Sequence, residues 1–481
     1  MKQLSGIDAS FLYMESDKTP MHVAGCVIFE YPENLEGSFY DHFLTFFKSR
    51  VHLVPMFSEK LARTVFQMDH PGWVDAGELD YSYHIREEKL AKPGTYEQLE
   101  THIAKLHSER LDRKKPLWQL TVIEGLEDGK VALYSKLHHA AIDGGAGMVI
   151  AQALYDLTPQ PREVKPPKPK EEKRKPNMTE RAILNLHDLA SNAVRQQLTV
   201  MENIPKVMNQ WADMIEPVVT GKLGLPQLIA PKTPFNVALE KGRTYAMRSI
   251  SLQDVKAISK ATETKVNDVV MAICSGCLRA YLDEKHQLPS AALVSFVPIS
   301  LREAGNQEIN NQVFGMNVPL ATNYRDPVKR LQKIKDESGV SKTMAGGVKE
   351  FAPQDFTLLG APLLLPGLMQ FYGDSKLANA LPQAVNLTIS NTMGPPFPLY
   401  CAGAKIHAIF PVSIPTHGIG LNITVQSYLD KMNIGITAAE NTVPDMAHMG
   451  DLFVKAFEEL RDTVLGKPKK KPAPRTRKST S

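Results

Sequence analysis

The stretch Lys136-Leu-His-His-Ala-Ala-Ile-Asp-Gly-Gly145 sets two adjacent histidines, His138 and His139, four to five residues ahead of an Asp143-Gly144 pair. Upstream, Val131, Leu133, Ser135, Leu137 and His139 alternate with Tyr134, Lys136 and His138, the period of a strand. If the strand runs to its end, the histidines point to opposite faces. His139 follows the apolar face inward and is read as the reactive imidazole, the side chain best suited to move a proton near neutral pH. His138 is read as a neighbour that orders the turn. Asp143 falls where strand gives way to helix, a position where a carboxylate accepts backbone N–H groups or pairs with a cation. Gly144, Gly145 and Gly147 let the chain turn tightly before a helix expected to run to Leu157.

Outward from this stretch, residues 1–158 read as one α/β unit. Val23, Gly25, Val27 and Phe29 alternate, Gln98 to Leu111 has helical apolar spacing, and Trp118 to Glu124 is joined to Lys130–Leu137 by a turn at Glu127-Asp-Gly129. Residues 159–232 open with a Pro- and Lys-rich linker. A helical connector follows, capped at Asn177-Met-Thr-Glu180 and apolar at Leu186, Leu189, Ala193, Val194, Leu198 and Met201. That connector packs on a domain or touches a membrane. Residues 233–465 form a second α/β unit with strands expected at Ala292–Pro298, Ala384–Ser390, Ile419–Val425 and Met432–Thr437. The last two make a hairpin through Leu429-Asp-Lys431, and a closing helix runs from Asp445 to Leu465. Two halves of comparable size imply a cleft between them, a common place for ligands.

At 481 residues and 43% hydrophobic, the chain can bury a large core. Its formal charge of +4 is misleading, because residues 466–481 hold seven Lys/Arg and no acid, and the stretch 160–176 is also basic. The rest of the chain is net acidic, which argues against a nucleic-acid surface. The 466–481 tail reads as disordered, either simply solvated or in contact with anionic lipid. Four scattered cysteines exclude a disulfide framework and fit a reducing cytosol. Cys274 and Cys277 form a CxxC inside an apolar helix face, with no second pair to complete a zinc site. The opening residues lack the apolar core of a signal peptide, and Leu358–Met369 is too short to span a bilayer. A soluble cytoplasmic protein, or one peripheral to the inner membrane or lipid inclusions, is expected.

The motif His138-His139-Ala-Ala-Ile-Asp143-Gly144 resembles that of the CoA-dependent acyltransferase superfamily, which includes chloramphenicol acetyltransferases and condensation domains. Leu4-Ser-Gly-Ile-Asp-Ala-Ser-Phe-Leu12, Thr19-Pro-Met-His-Val23, Pro116-Leu-Trp118, Val266-Asn-Asp-Val269 and Val297-Pro-Ile-Ser-Leu-Arg302 narrow it. In order, they resemble the bacterial wax ester synthase/acyl-CoA:diacylglycerol acyltransferases over residues 4 to about 465. Ser390-Asn-Thr-Met-Gly-Pro395 departs from the family's Ser-Asn-Val-Pro-Gly-Pro-like run. The resemblance implies two chloramphenicol-acetyltransferase-like α/β domains with an interdomain cleft or tunnel. It implies a long-chain acyl-CoA as substrate, with no cofactor and no metal, and a fatty alcohol or diacylglycerol as acceptor. His139 would be the general base, with His138, Asp143, Gly144 and Arg302 orienting the site.

Three further positions are candidates for shaping it. Trp118 is a packing residue or a substrate neighbour, Asn267 a helix cap or site residue, and Asn391 a turn asparagine or oxyanion donor. The apolar Leu358–Met369 lines a lipid channel, packs in the core, or faces lipid. Competing functions are acyl transfer to a smaller alcohol or an amine, and an inactive protein that binds lipid surfaces.

Overall fold

The computed structural model describes residues 2–32, 35–62, 70–142, 146–167, 229–300, 313–348 and 361–467. The Asn177–Met201 connector, Asp143, Gly144, Arg302 and nearly all of the basic tail lie outside them. In the first half the strands are β1 (Lys2–Gln3), β2 (His22–Phe29), β3 (Glu59–Ala62), β4 (Gly72–Asp75), β5 (Ile85–Lys89), β6 (Trp118–Glu124) and β7 (Val131–His138). In the second they are β8 (Arg243–Ser251), β9 (Val294–Ser300), β10 (Val313–Pro319), β11 (Leu387–Thr392), β12 (Tyr400–Cys401), β13 (Ala404–Val412), β14 (Leu421–Tyr428) and β15 (Lys431–Ala439).

They assemble into two six-stranded sheets and one small sheet. The first is ordered β12-β13-β2-β7-β6-β5, the second β10-β9-β11-β14-β15-β8, and the small one β1-β4-β3. Residues 400–412 therefore leave the second half of the sequence and complete the first half's sheet, with β13 antiparallel to β2. The stretch 233–465 does not keep all its strands to itself.

The first sheet is covered on one face by the helix Phe39–Arg50. Phe43 and Phe47 of this helix pack, fully buried, with Phe57 and Trp118. Burying each such ring is worth about 1.5–3 kcal/mol, so aromatic packing is a large part of what holds this face. The helix Tyr96–Ser108 covers the other face. Its start is fixed by Thr95, whose hydroxyl accepts from the Gln98 N–H, while the Gln98 side chain accepts from the Thr95 N–H. Leu99 and Ile103 on this helix share a core with Cys26, Ile28 and Tyr134 of the first sheet and Tyr245 and Met247 of β8. One helix is thus clamped between both sheets. Glu100 pins it there, accepting from the Met247 N–H (2.6 Å) and Arg248 Nη1 (2.8 Å).

The helix Val266–Glu284 lies in the second core with the helix Met446–Leu465. It carries Cys274 and Cys277, both buried thiols pushed upward in pKa by desolvation.

Some expected boundaries shift for identifiable reasons. The helix after the motif, Ala146–Leu154, stops short of Leu157 because Asp156 exchanges two backbone hydrogen bonds with Tyr400 and its carboxylate meets Arg50 at 2.8 Å. β11 begins at Leu387 rather than Ala384 because Asn386 ties the preceding residues to Pro231, Asn236 and the Val294 N–H through its side chain. Leu358–Met369 contributes to a helix, Ala361–Asp374, that contains Pro366.

Candidate active site

β7 ends at His138, paired across from His22 of β2. The alternation that would carry the next residue onto the sheet's face stops there. His139 instead opens a single 3-10 turn, His139–Ala141. Two bonds make the break. The His138 Nδ1 accepts from the Ala140 N–H at 3.0 Å, and the His139 N–H donates to Met21 O at 2.8 Å.

The two imidazoles end in different surroundings. His138 is fully buried. Because its Nδ1 is an acceptor, its proton belongs on Nε2, which stands 3.4 Å from Glu15 Oε1. That approach is off the hydrogen-bonding axis, so the attraction is electrostatic more than directional. Glu15 is itself buried and bridged by Arg113 through Nε (2.8 Å) and Nη2 (2.7 Å), and it accepts from the Met21 N–H at 3.2 Å. Burial would raise the Glu15 carboxyl. The neighbouring His138, the Arg113 guanidinium and the Met21 N–H outweigh that and hold it down at about 2.

His139 is partly exposed, with the ring of Phe11 stacked on it at 3.9 Å and 15°. Desolvation lowers its pKa to about 4, opposed by its own main-chain carbonyl and reinforced by His138. It is therefore neutral at pH 7. Its Nδ1 is buried without a hydrogen-bond partner of good geometry, which leaves Nε2 as the nitrogen free to meet a reactant. Around the turn lies an apolar cluster built on Ala9, Leu12, Leu117 and Ala140, with Phe11, Leu61, Trp73, Ala141 and Leu365 packed on it and still partly exposed. These residues come from the first helix (Gly6–Met14), the small sheet, the residue just before β6, the turn itself and the helix Ala361–Asp374.

The other candidate positions are dispersed. Trp118 is fully buried, donates from Nε1 to Phe57 O (3.1 Å) and stacks on His84 at 4.2 Å. It lies across from Leu137, two residues before His139. Asn267 opens the helix Val266–Glu284 and accepts from Asn391 Nδ2 at 3.4 Å, so these two candidates meet each other. The adjoining Asp268 accepts from the Lys265 N–H and from Ser338 Oγ, both at 2.9 Å. Asp143, Gly144 and Arg302 lie outside the described residues. Glu15 and Phe11, which the sequence does not single out, meet the histidine pair directly, and Arg113 reaches it through Glu15. The signal for them was slight, since Phe11 falls within the Leu4–Leu12 stretch and Glu15 shortly after it.

Residues 4–270 match the wax ester synthase/diacylglycerol acyltransferase catalytic domain, and residues 309–461 match the corresponding C-terminal domain. An O-acyltransferase of Acinetobacter baylyi is 33% identical over 455 residues, covering 93% of this chain and 94% of that protein. A probable diacylglycerol O-acyltransferase of Mycobacterium tuberculosis is 32% identical over 464 residues, covering 95% and 98%. Among solved structures, the wax ester synthase/diacylglycerol acyltransferase of Marinobacter aquaeolei superposes with a TM-score of 0.69 at 27% identity, over 96% of this chain and 100% of the other. The starter condensation domain of rhizomide synthetase shares the fold at a TM-score of 0.54 and 13% identity, over 96% and 95% of the two chains. With both domains matched in order, the chain belongs to the wax ester synthase/diacylglycerol acyltransferase family of O-acyltransferases.

Proposed function

We propose that the protein moves a long-chain acyl group from acyl-CoA to a fatty alcohol, a diacylglycerol or both, with His139 as general base. The observation that carries this reading is the state of His139: neutral, partly open, and set against apolar side chains rather than charged ones. Nε2 takes the proton from the acceptor hydroxyl as its oxygen attacks the thioester carbon. The tetrahedral intermediate then collapses, the C–S bond breaks, and the imidazolium returns its proton to the CoA thiolate. General-base help of this kind supplies about 10²–10⁴-fold, so positioning and oxyanion stabilisation supply the rest.

In this reading Asp143 and Gly144 shape the turn after the histidines, and Asp143 pairs with Arg302. Arg302→Lys is then expected to lower activity or stability, and a variant unchanged in both would remove the pair. Trp118 supports the strand that presents the histidines, and the Asn267–Asn391 contact shapes the second half of the site. The insolubility of the lipid acceptor favours work at a membrane or lipid-inclusion surface, although no helix among the described residues is long and apolar enough to cross a bilayer. The exposed Leu368 and Phe371 on helix Ala361–Asp374 suit such contact.

The test is incubation of purified protein with hexadecanoyl-CoA and either hexadecanol or diacylglycerol, following thiol release and neutral lipid. Turnover with either acceptor, lost in His139→Ala, is expected. Full turnover by that variant would exclude His139 as base. Turnover only with short alcohols or amines would move the substrate class, and none with any acceptor would favour a lipid-surface binding protein.

A further inference from the structure

We infer that Glu15, anchored by Arg113, is the positioning residue of the histidine pair; this rests on His139 as the base. Its carboxylate reaches both histidines by separate routes. Through Oε1 it faces His138 Nε2 at 3.4 Å, which favours the tautomer whose Nδ1 accepts from the Ala140 N–H. That last bond starts the turn on which His139 sits. Through the same oxygen it accepts from the Met21 N–H (3.2 Å), and the carbonyl of Met21 receives the His139 N–H (2.8 Å).

One buried acid therefore biases the tautomer of the first histidine electrostatically and, through Met21, holds the main chain of the second. Arg113 keeps it ionised and in place, with Nη2 also donating to Leu12 O at 2.6 Å on the helix that carries Phe11. The helix that stacks an aromatic ring on His139 and the acid that orients the pair are thus held by one guanidinium. An orienting carboxylate that never touches the reactants is a recurrent device for holding an imidazole in one tautomer and direction. It needs no charge change during turnover.

Glu15→Gln keeps an acceptor for the Met21 N–H but removes the charge that selects the His138 tautomer. It is expected to lower kcat about 10- to 100-fold while leaving both KM values within about threefold, the pattern of a displaced catalytic group. Glu15→Asp, which retains the charge one methylene back, should recover part of the loss. In ¹⁵N-histidine-labelled protein the His138 ring, assigned by its loss in His138→Gln, should be protonated at Nε2 in the wild type and a tautomer mixture in Glu15→Gln. A purely structural role would lower the unfolding midpoint without altering that signature. Wild-type kcat together with an unchanged His138 signal in Glu15→Gln would overturn the inference. If Glu15→Gln fails to fold, Arg113→Gln serves instead, with the same two readouts and a smaller expected loss of kcat. Absence of acyl transfer by the wild type would defeat the proposed function while the His138 signal still tests the brace.

Discussion

The pH behaviour of turnover is set at the level of single residues, by the enclosure of His139 between Phe11 and the turn. A free imidazole would begin to be protonated, and lost as a base, below about pH 6.5. Burial lowers this one to about 4. The acid limb of kcat/KM is therefore expected near pH 4 to 5, with activity flat from pH 7 down to about 5.5. Phe11→Ala admits water to the ring, so its acid limb should move up toward 6.5. Identical limbs in the two proteins would show that Phe11 does not control the solvation of His139. The histidines were legible because strand alternation and the Asp-Gly spacing are local patterns. Glu15 and Arg113 were not, because each acts on residues far from it in sequence, and nothing in a Met-Glu-Ser-Asp run marks one acid for burial. The direction of His139 was misread for a related reason. The side-chain bond from His138 to the Ala140 N–H ends the strand one residue early, and hydrogen bonds of that kind compete with ladders without leaving a periodic trace.

Among the secondary-structure elements, β13 is a strand that joins the halves. It pairs with β2 in the first sheet and runs close against β15 of the second, and Tyr245 Oη of the neighbouring β8 donates to Pro411 O at 3.0 Å. Gly435 on β15 makes that approach feasible, since a Cβ there would lie 1.7 Å from Pro411 O. Backbone on backbone cannot yield as a flexible side chain would. Gly435→Ala is accordingly expected to destabilise the protein by about 2–4 kcal/mol, read as a lower urea midpoint. An unchanged midpoint would mean that β13 can shift freely. The strand Met432–Thr437 and its hairpin were readable from sequence, although the turn expected over Leu429-Asp-Lys431 closes at Leu429-Asp430, with Lys431 already paired with Tyr428. The reason for glycine within it was not, because the partner that crowds it belongs to a sheet begun some four hundred residues earlier. For the same reason the sequence suggests two self-contained halves, whereas residues 400–412 cross between them.

Across the whole molecule, the buried histidines make folding sensitive to acid. His22, His107 and His139 all have pKa values lowered first by desolvation, His107 to about 3 and His139 to about 4. In the unfolded chain each would titrate near 6.5. The unfolded state therefore binds more protons than the native state between about pH 6.5 and 3, and native stability must fall as pH drops through that window. Glu15 acts in the same direction over a lower range. Its carboxyl is held at about 2 in the native state against 4.5 as its ordinary value, so its contribution is present above pH 4.5 and is lost as pH falls toward 2. The histidine losses come first. His107 sits at the junction of the halves, bonded through Nδ1 to Tyr134 Oη (2.8 Å) and through Nε2 to Ser413 O (2.9 Å), just past β13. Its protonation would turn Nδ1 from acceptor to donor at a buried position, so the sheet joined by β13 should loosen with it. Urea midpoints measured at pH 7.5, 6.0 and 5.0 are expected to decline steadily, and His107→Gln, which cannot titrate, should flatten that slope whatever its effect at pH 7.5. A midpoint constant from pH 7.5 to 5.0 would remove the buried histidines as the source of acid sensitivity, and a slope unaltered in His107→Gln would remove His107 from among them.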